Sequence, residues 1–508
     1  MEANAQDRSN NAFQGWGMQY DNGEIPYFDY NAFKKMREDN SDYYSLTNTK
    51  RRTLAYFATG TYSYQGRYSL TGTFRYEGSN RLGKARSARW LPTWNIGVAW
   101  NMHEEKFFEK LQPALSHFTL KSSYSLTADA GPADVTNSFV NINSYTPWRP
   151  SASVGESGLH IVELENGDLT YEKKHEINVG VDMGFLNNRI NMELAWYKRN
   201  NYDLIGAVLT QGVGGETRRN ANLASMKSHG YEVSLSTQNI VTKDFQWTTD
   251  FIFGYSKTKI TDLKSQTYLF DLVTGYGQRE GYDWGSLFSI PFAGLDEDGF
   301  PTFWWNGELI DKTNYGSINF QQIQDVDFLK YEGPRDPTIT GSFGNVFKYK
   351  GFKLNVFITY SAGNKVRLDP QFSSTYNDLD ATPKDFKNRW MLPGEEKITN
   401  IPVIPSARDN QKYSNLNYAY NAYNYSDARI ADGGFIRMKE ISLTYDFPKA
   451  LLGSQNILKT LSLKVQATNL FLIYSDDKLN GQDPEFFNSG GVAAPVPKQF
   501  TFTLRAGF

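Results

Sequence analysis

A chain of 508 residues with a formal charge of −2 and a pI near 6.3 has no electrostatic reason to seek nucleic acid. It holds no cysteine, which excludes a disulfide-stapled scaffold, a thiolate metal site and a cysteine nucleophile. Aromatic residues make up 15% of the chain, yet mean hydropathy is −0.55, and no run of about 18 apolar residues exists to form a transmembrane helix.

In chain order, residues 1–51 are polar and rich in Asn and Tyr, and they read as a loop-like segment. Their opening, "MEANAQDRSN", lacks the basic and apolar regions of a signal peptide, so an exported form is expected to derive from a longer precursor. From residue 52 to 508 the dominant signal is alternation with a period of two. "GRYSLTGTFRYEG" (66–78) sets Tyr68, Leu70, Phe74 and Tyr76 on one phase and Arg67, Ser69, Thr71, Thr73 and Arg75 on the other. Its neighbours "TLAYFATGTYSY" (53–64) and "WLPTWNIGVAW" (90–100) read as strands too, and "EEKFFEKLQ" (104–112) as a turn or two of helix. Further alternating runs follow at 118–127, 175–185 and 189–199, the last two joined by "NN", whose Asn187 and Asn188 suit a tight hairpin. Hairpins at 230–256 and 339–361 come next, then "KEISLTYDF" (439–447), "LSLKVQATNLF" (461–471) and "QFTFTLRAGF" (499–508). The total is about 13 strands with almost no helix, an all-β chain.

A two-sided wall has two explanations. A β-sandwich would place the apolar phase in a dry core, whereas a membrane barrel would place it against lipid and the polar phase against a wet lumen. The connections discriminate. "QG", "NN", 238–244 and "KG" are short, whereas 128–174, 200–228, 257–337 and 362–434 are long, and the two kinds alternate. An outer-membrane barrel keeps its periplasmic turns tight and lets its extracellular loops grow. The sequence therefore predicts an antiparallel transmembrane β-barrel segment with long extracellular loops, Phe508 at the periplasmic rim and residues 1–51 outside. Strand parity then predicts that "SLFSIPFAGL" (286–295), although strand-like, does not cross the membrane.

Several stretches carry a resemblance in a fixed order: "GRYSLTGTFRYEGSNRLG", "WLPTWNIGVAWNMHEEKFF", "FTLKSSYSLT", "EINVGVDMGFLNNRINMELAWYKR", "SHGYEVSLST", "FIRMKEISLTYDFP", "ATNLF", "DPE" and the closing "PVPKQFTFTLRAGF". Over nearly all of 52–508 the chain resembles the C-terminal half of the SusC/RagA family of TonB-linked outer-membrane transporters of Bacteroidetes. The resemblance implies part of a 22-stranded barrel with an N-terminal plug. It also implies energy from a TonB complex, a SusD-like surface lipoprotein as partner, and a glycan or peptide ligand. Here no TonB box or plug is present, so the expectation is a fragment or one half of a split gene, unable to transport alone. Open sheet edges are not tolerated in hydrocarbon.

Chemistry-bearing residues are sparse. The terminal alternation of Phe500, Phe502, Leu504, Ala506 and Phe508 reads as a signal for the barrel assembly machinery, or else as an ordinary last strand. Trp90, Trp94, Trp100, Trp196, Tyr197, Tyr445 and Tyr474 fall near strand ends, where outer-membrane lipid is met by a girdle of amphipathic rings. "LDEDGFP" (295–301) lacks the spacing of a calcium loop and reads as a solvated turn. The five histidines have no metal-ligand spacing, and no G-x-S-x-G elbow exists, so neither a cofactor nor catalysis is expected. Ligand contact is expected from ring faces on the long loops, at Trp304 and Trp305 and at Tyr418, Tyr420, Tyr423 and Tyr425, with loop packing as the competing reading.

Overall fold

The structure, a computed structural model, describes residues 1–13, 44–80, 89–131, 140–145, 158–164, 166, 169–209, 218–376, 382, 384–448, 458–487 and 495–508. Its frame is a single antiparallel sheet whose strands follow one another in chain order. These are β1 (Glu2–Phe13), β2 (Tyr44–Tyr64), β3 (Tyr68–Ser79), β4 (Trp90–Asn101), β5 (Leu115–Asp129), β6 (Glu172–Phe185) and β7 (Ile190–Leu209). They continue with β8 (Arg218–Val241), β9 (Phe245–Leu263), β10 (Ile339–Tyr349), β11 (Phe352–Ala362), β12 (Phe435–Asp446), β13 (Thr460–Tyr474) and β14 (Gln499–Gly507). Among the described residues β1 and β14 do not pair with each other, so the sheet is curved wall rather than closed barrel.

The apolar phase faces away from protein. Leu70 is 49% exposed and Val98 51%, although each sits in a strand paired on both sides, and Phe502 on the edge strand β14 is 73% exposed. Among the described residues no second sheet of the wall's size exists to cover them, and this removes the sandwich. The opposite phase carries ion pairs: Glu176 accepts from Arg199 at 2.7 Å and meets Lys174 at 3.0 Å, and Lys121 pairs with Asp182. Tyr197 belongs to this polar side and not to a lipid-facing girdle. It is buried, its hydroxyl donates to Ser256 Oγ at 2.8 Å, and Arg199 lies over its ring at 4.0 Å. Adjacent residues of a strand face opposite ways, so Trp196 and Tyr197 cannot share a belt. Glycine at 230 makes this possible, because a Cβ there would stand 2.5 Å from the Tyr197 ring.

The tight turns lie at one end. Asn187 and Asn188 take positive φ (58° and 60°) between β6 and β7, and Lys350 (50°) does so before Gly351 between β10 and β11. The short helical segment at 104–112 is a 3-10 turn, Lys106–Leu111. Two expectations need correction at the other end. The loop-like reading of 1–51 fails at Glu2–Phe13, which is a strand, and β2 begins at Tyr44 rather than at 53; residues 14–43 lie outside the described residues. The sheet therefore has 14 strands, one more than the alternation indicated. β1 has no apolar phase to betray it, and cross-strand charge helps hold its register, through Arg52 on Asp7 (2.7 Å) and Arg75 on Glu2 (2.8 Å).

Candidate functional site

The two longest connections, 264–338 and 363–434, do not hang as loops. They fold together into one body on the outer side, with a common core that includes Leu272, Phe288, Phe303, Tyr315, Leu416 and Tyr423. Short strands frame it: Ser286–Ser289 pairs with Lys330–Pro334, and Phe292–Leu295, Pro301–Trp305 and Glu308–Ile310 form a small three-stranded sheet. "SLFSIPFAGL" is thus part of this body and does not cross the wall. A backbone bridge joins the two connections, with the Ile290 N–H donating to Tyr425 O (3.0 Å) and the Asp427 N–H donating to Ile290 O (3.2 Å). The buried guanidinium of Arg367 completes the joint by donating to Phe288 O (2.6 Å), Ser289 Oγ (3.0 Å) and Ser426 O (3.1 Å). Burial pushes its pKa down to about 10, which leaves it cationic at neutral pH.

The aromatic residues expected to meet ligand fall on both sides of this core. Trp304 is half exposed, whereas Trp305 is 5% exposed and packs on Phe328, with ring centroids 4.8 Å apart. They are neighbours in a strand, and alternation sends one in and one out. The "NLNYAYNAYNYS" stretch, read from sequence as loop, is an α-helix over Leu416–Asn424. Leu416, Ala419, Tyr420 and Tyr423 share its buried face at helical spacing, and Tyr418 looks out at 41% exposure. Tyr420 donates its hydroxyl to Val403 O, and Tyr425 is half-buried under Arg367. Trp305, Tyr420 and Tyr423 therefore hold the body together, while Trp304 and Tyr418 present ring surface. In "LDEDGFP", Asp296 caps its own turn by accepting from the N–H groups of Asp298 and Phe300 (both 2.9 Å). The Lys312 ammonium stands between Asp296 and Asp298. Phe508 directly follows β14, with Lys459 Nζ donating to its carbonyl at 3.2 Å.

A polar cleft of about 910 Å³ opens where the body meets the outer ends of β11, β12 and β13. Lys330 reaches Asp427 (3.0 Å) and Glu332 (3.5 Å), Lys365 reaches Asp432 (3.2 Å), and Lys478 donates to Ile430 O (3.0 Å). With Asp476 and Asp477 the lining holds five carboxylates against three ammonium groups. Burial raises the pKa of Glu332 above the usual carboxylate range, against the pull of Lys330. Such a lining can hydrogen-bond hydroxyl, amide and ammonium groups. Among the described residues no group of three or more His, Asp or Glu is placed to hold a metal ion.

Sequence reading missed the fastening of the outer connection that follows β13. Arg437 of β12 and Asp483 are 3% and 0% exposed, and one guanidinium nitrogen donates to both carboxylate oxygens at 2.6 and 2.7 Å. Only part of the signal was in the chain: "DPE" is one of the stretches that carry the family resemblance, but nothing local to "FIRM" points from Arg437 to an acid 46 residues away.

A curved single-layer sheet with a lipid-facing apolar phase, a charged inner phase and an ordered outer body defines an outer-membrane β-barrel wall. Residues 2–369 match the family described as TonB dependent receptor-like, beta-barrel, and the chain belongs to it. It is 27% identical to TonB-dependent receptor P39 of Formosa agariphila, over 95% of this chain and 48% of that protein. It is 26% identical to TonB-dependent receptor SusC of Bacteroides thetaiotaomicron, over 92% of this chain and 44% of that protein. Among solved structures it is similar to the RagAB peptide transporter, with a TM-score of 0.72 at 22% identity, covering 92% of this chain and 48% of that one. The chain spans about half the length of the curated relatives it matches. Its place is the outer membrane.

Proposed function

We propose that this chain supplies wall and outer face to a SusC-like, TonB-linked importer of glycans or peptides. Further strands complete the barrel, a TonB complex energises it, and a SusD-like lipoprotein delivers ligand at the outer face. The observation that carries this reading is the folded body of 264–338 and 363–434, which converts two loops into a fixed surface with exposed rings and a hydrogen-bonding cleft. Relatives named SusC and the RagAB peptide transporter support it. Trp304 and Tyr418 offer stacking faces, and Phe508 serves recognition by the barrel assembly machinery.

The test is uptake by the native transporter carrying Trp304→Ala and Tyr418→Ala. Loss of a stacked ring costs about 1 kcal/mol, so the double variant should import its ligand at roughly thirtyfold higher half-saturation while reaching normal surface levels. Unchanged half-saturation would remove these rings from ligand contact.

A further inference from the structure

The lipid-facing side of β7, β8 and β9 carries an unexplained concentration of positive charge. Trp196, Tyr231 and Tyr255 form one cross-strand row, with the two tyrosine rings stacked at 6.1 Å. Two residues further toward the outer end the same phase reads Lys198, His229 and Lys257, and two beyond that Asn200, Lys227 and Lys259. Each step of two residues rises roughly 7 Å, so the basic rows lie directly above an aromatic row of the kind that marks the membrane interface. Lys257 has Asp283 at 3.5 Å. Lys198, Lys227 and Lys259 have no acidic partner within 4 Å among the described residues, and Lys227 faces Lys259 directly across the strand pair. Like charges in that arrangement are destabilising, whereas Glu176 on the inner phase of β6 is matched by both Lys174 and Arg199.

We infer that this patch binds the phosphate-bearing headgroup of an outer-leaflet lipid. The charge is complementary, and the surface lies where lipid is the neighbour. Leu194, Val233 and Phe253, in one row below the aromatic one, give the acyl chains an apolar bed. Phosphate oxygens settle among the three unpaired ammonium groups, which long side chains allow to reach headgroup level. The inference rests on the outer-membrane wall reading.

The test uses the native transporter purified in zwitterionic detergent, with phosphorylated lipid A, dephosphorylated lipid A and inorganic phosphate as separate probes, read by native mass spectrometry. At about fivefold per lysine near an anionic surface, the combined variant Lys198→Gln, Lys227→Gln, Lys259→Gln should bind phosphorylated lipid A roughly a hundredfold more weakly than wild type. Dephosphorylated lipid should bind both alike. Equal binding of phosphorylated lipid A by wild type and variant would overturn the proposal, and saturation by inorganic phosphate without loss of lipid would assign the patch to a free anion. Quenching of Trp196 by brominated acyl chains in membranes, read by difference against Trp196→Phe, checks the wall reading separately. An unquenched Trp196 would refute the wall and the lipid site with it, whereas a quenched Trp196 with unchanged lipid A binding would refute the lipid site alone.

Discussion

Removing the Asp483 carboxylate should release residues 475–487, which follow β13, while leaving the wall intact. Arg437 is 3% exposed and has two carboxylates within reach, Asp483 at 2.6 Å and the more exposed Glu485 at 3.1 Å. Breaking a buried pair from one side leaves an uncompensated charge and costs about 3–5 kcal/mol. Asp483→Ala also loses the bond from the Glu485 N–H (3.1 Å) that starts the 3-10 turn Pro484–Phe486. Glu485 can retain part of the attraction, which places the expected loss near the lower end, at about 3 kcal/mol. Hydrogen exchange at the 477–486 amides is the assay, since that free energy corresponds to roughly a hundredfold faster opening. The double variant Arg437→Met, Asp483→Leu removes both charges and should recover most of the protection. If Asp483→Ala exchanges at the wild-type rate, or the double variant opens faster than the single one, the pair is not what holds this segment.

Wall, body and acid response give three further expectations. Val98→Arg places a charge on the lipid-facing phase and should lower barrel stability by about 2–4 kcal/mol if it lies near the bilayer midplane; Ser234→Arg, on the inner phase opposite Glu193, should cost under 1 kcal/mol in the same refolding titration. Phe303→Ala, in the heart of the outer body, should cost about 3–5 kcal/mol and expose residues 264–334 to protease without altering heat-modifiable migration of the barrel. Glu332 has a folded pKa above its unfolded value, so the folded body holds more protons and loses stability as pH rises from about 4.3 through the raised value. Glu332→Gln should flatten that decline, and a variant whose stability falls with pH as steeply as wild type would count against a buried, ionising Glu332.

The wall was legible because lipid on one side and water on the other impose a two-residue period that each strand expresses locally, as Leu70 against Thr71 or Val98 against Gly97 does. Where both faces are wet the period vanishes, and β1 with the outer half of β2 became invisible for that reason. The outer body was hidden by a different cause. Its core joins Phe288 and Phe303 of one connection to Leu416 and Tyr423 of another, more than a hundred residues apart in sequence, and no local pattern encodes such a meeting. Weighing ligand contact against loop packing for Trp304 and Trp305 and for "NLNYAYNAYNYS" as whole stretches overlooked the periods inside them. Period two separates Trp304 from Trp305, and period 3.6 buries Tyr420 and Tyr423 while leaving Tyr418 outside.

The chain thus satisfies its apolar side chains by two separate means, and these meet at one junction. Wall residues such as Val98 depend on lipid, whereas Phe303 and Tyr423 depend only on the body's own packing. The hairpin of β10 and β11 stands between these regimes, since 264–338 enters it and 363–434 leaves it. Thr338 donates its N–H to Ala362 O at 3.1 Å, and Lys365–Arg367 pairs with Ile430–Asp432 immediately above. A tilt of the hairpin would therefore move both halves of the body together, because Arg367 of the second connection donates across their shared seam to Phe288 O and Ser289 Oγ of the first in a buried site. Movement of the outer face would consequently displace one packed unit rather than open independent loops: Trp304 and Tyr418 would keep their spacing, whereas the acidic cleft, lined on one side by residues 472–478, would change its width.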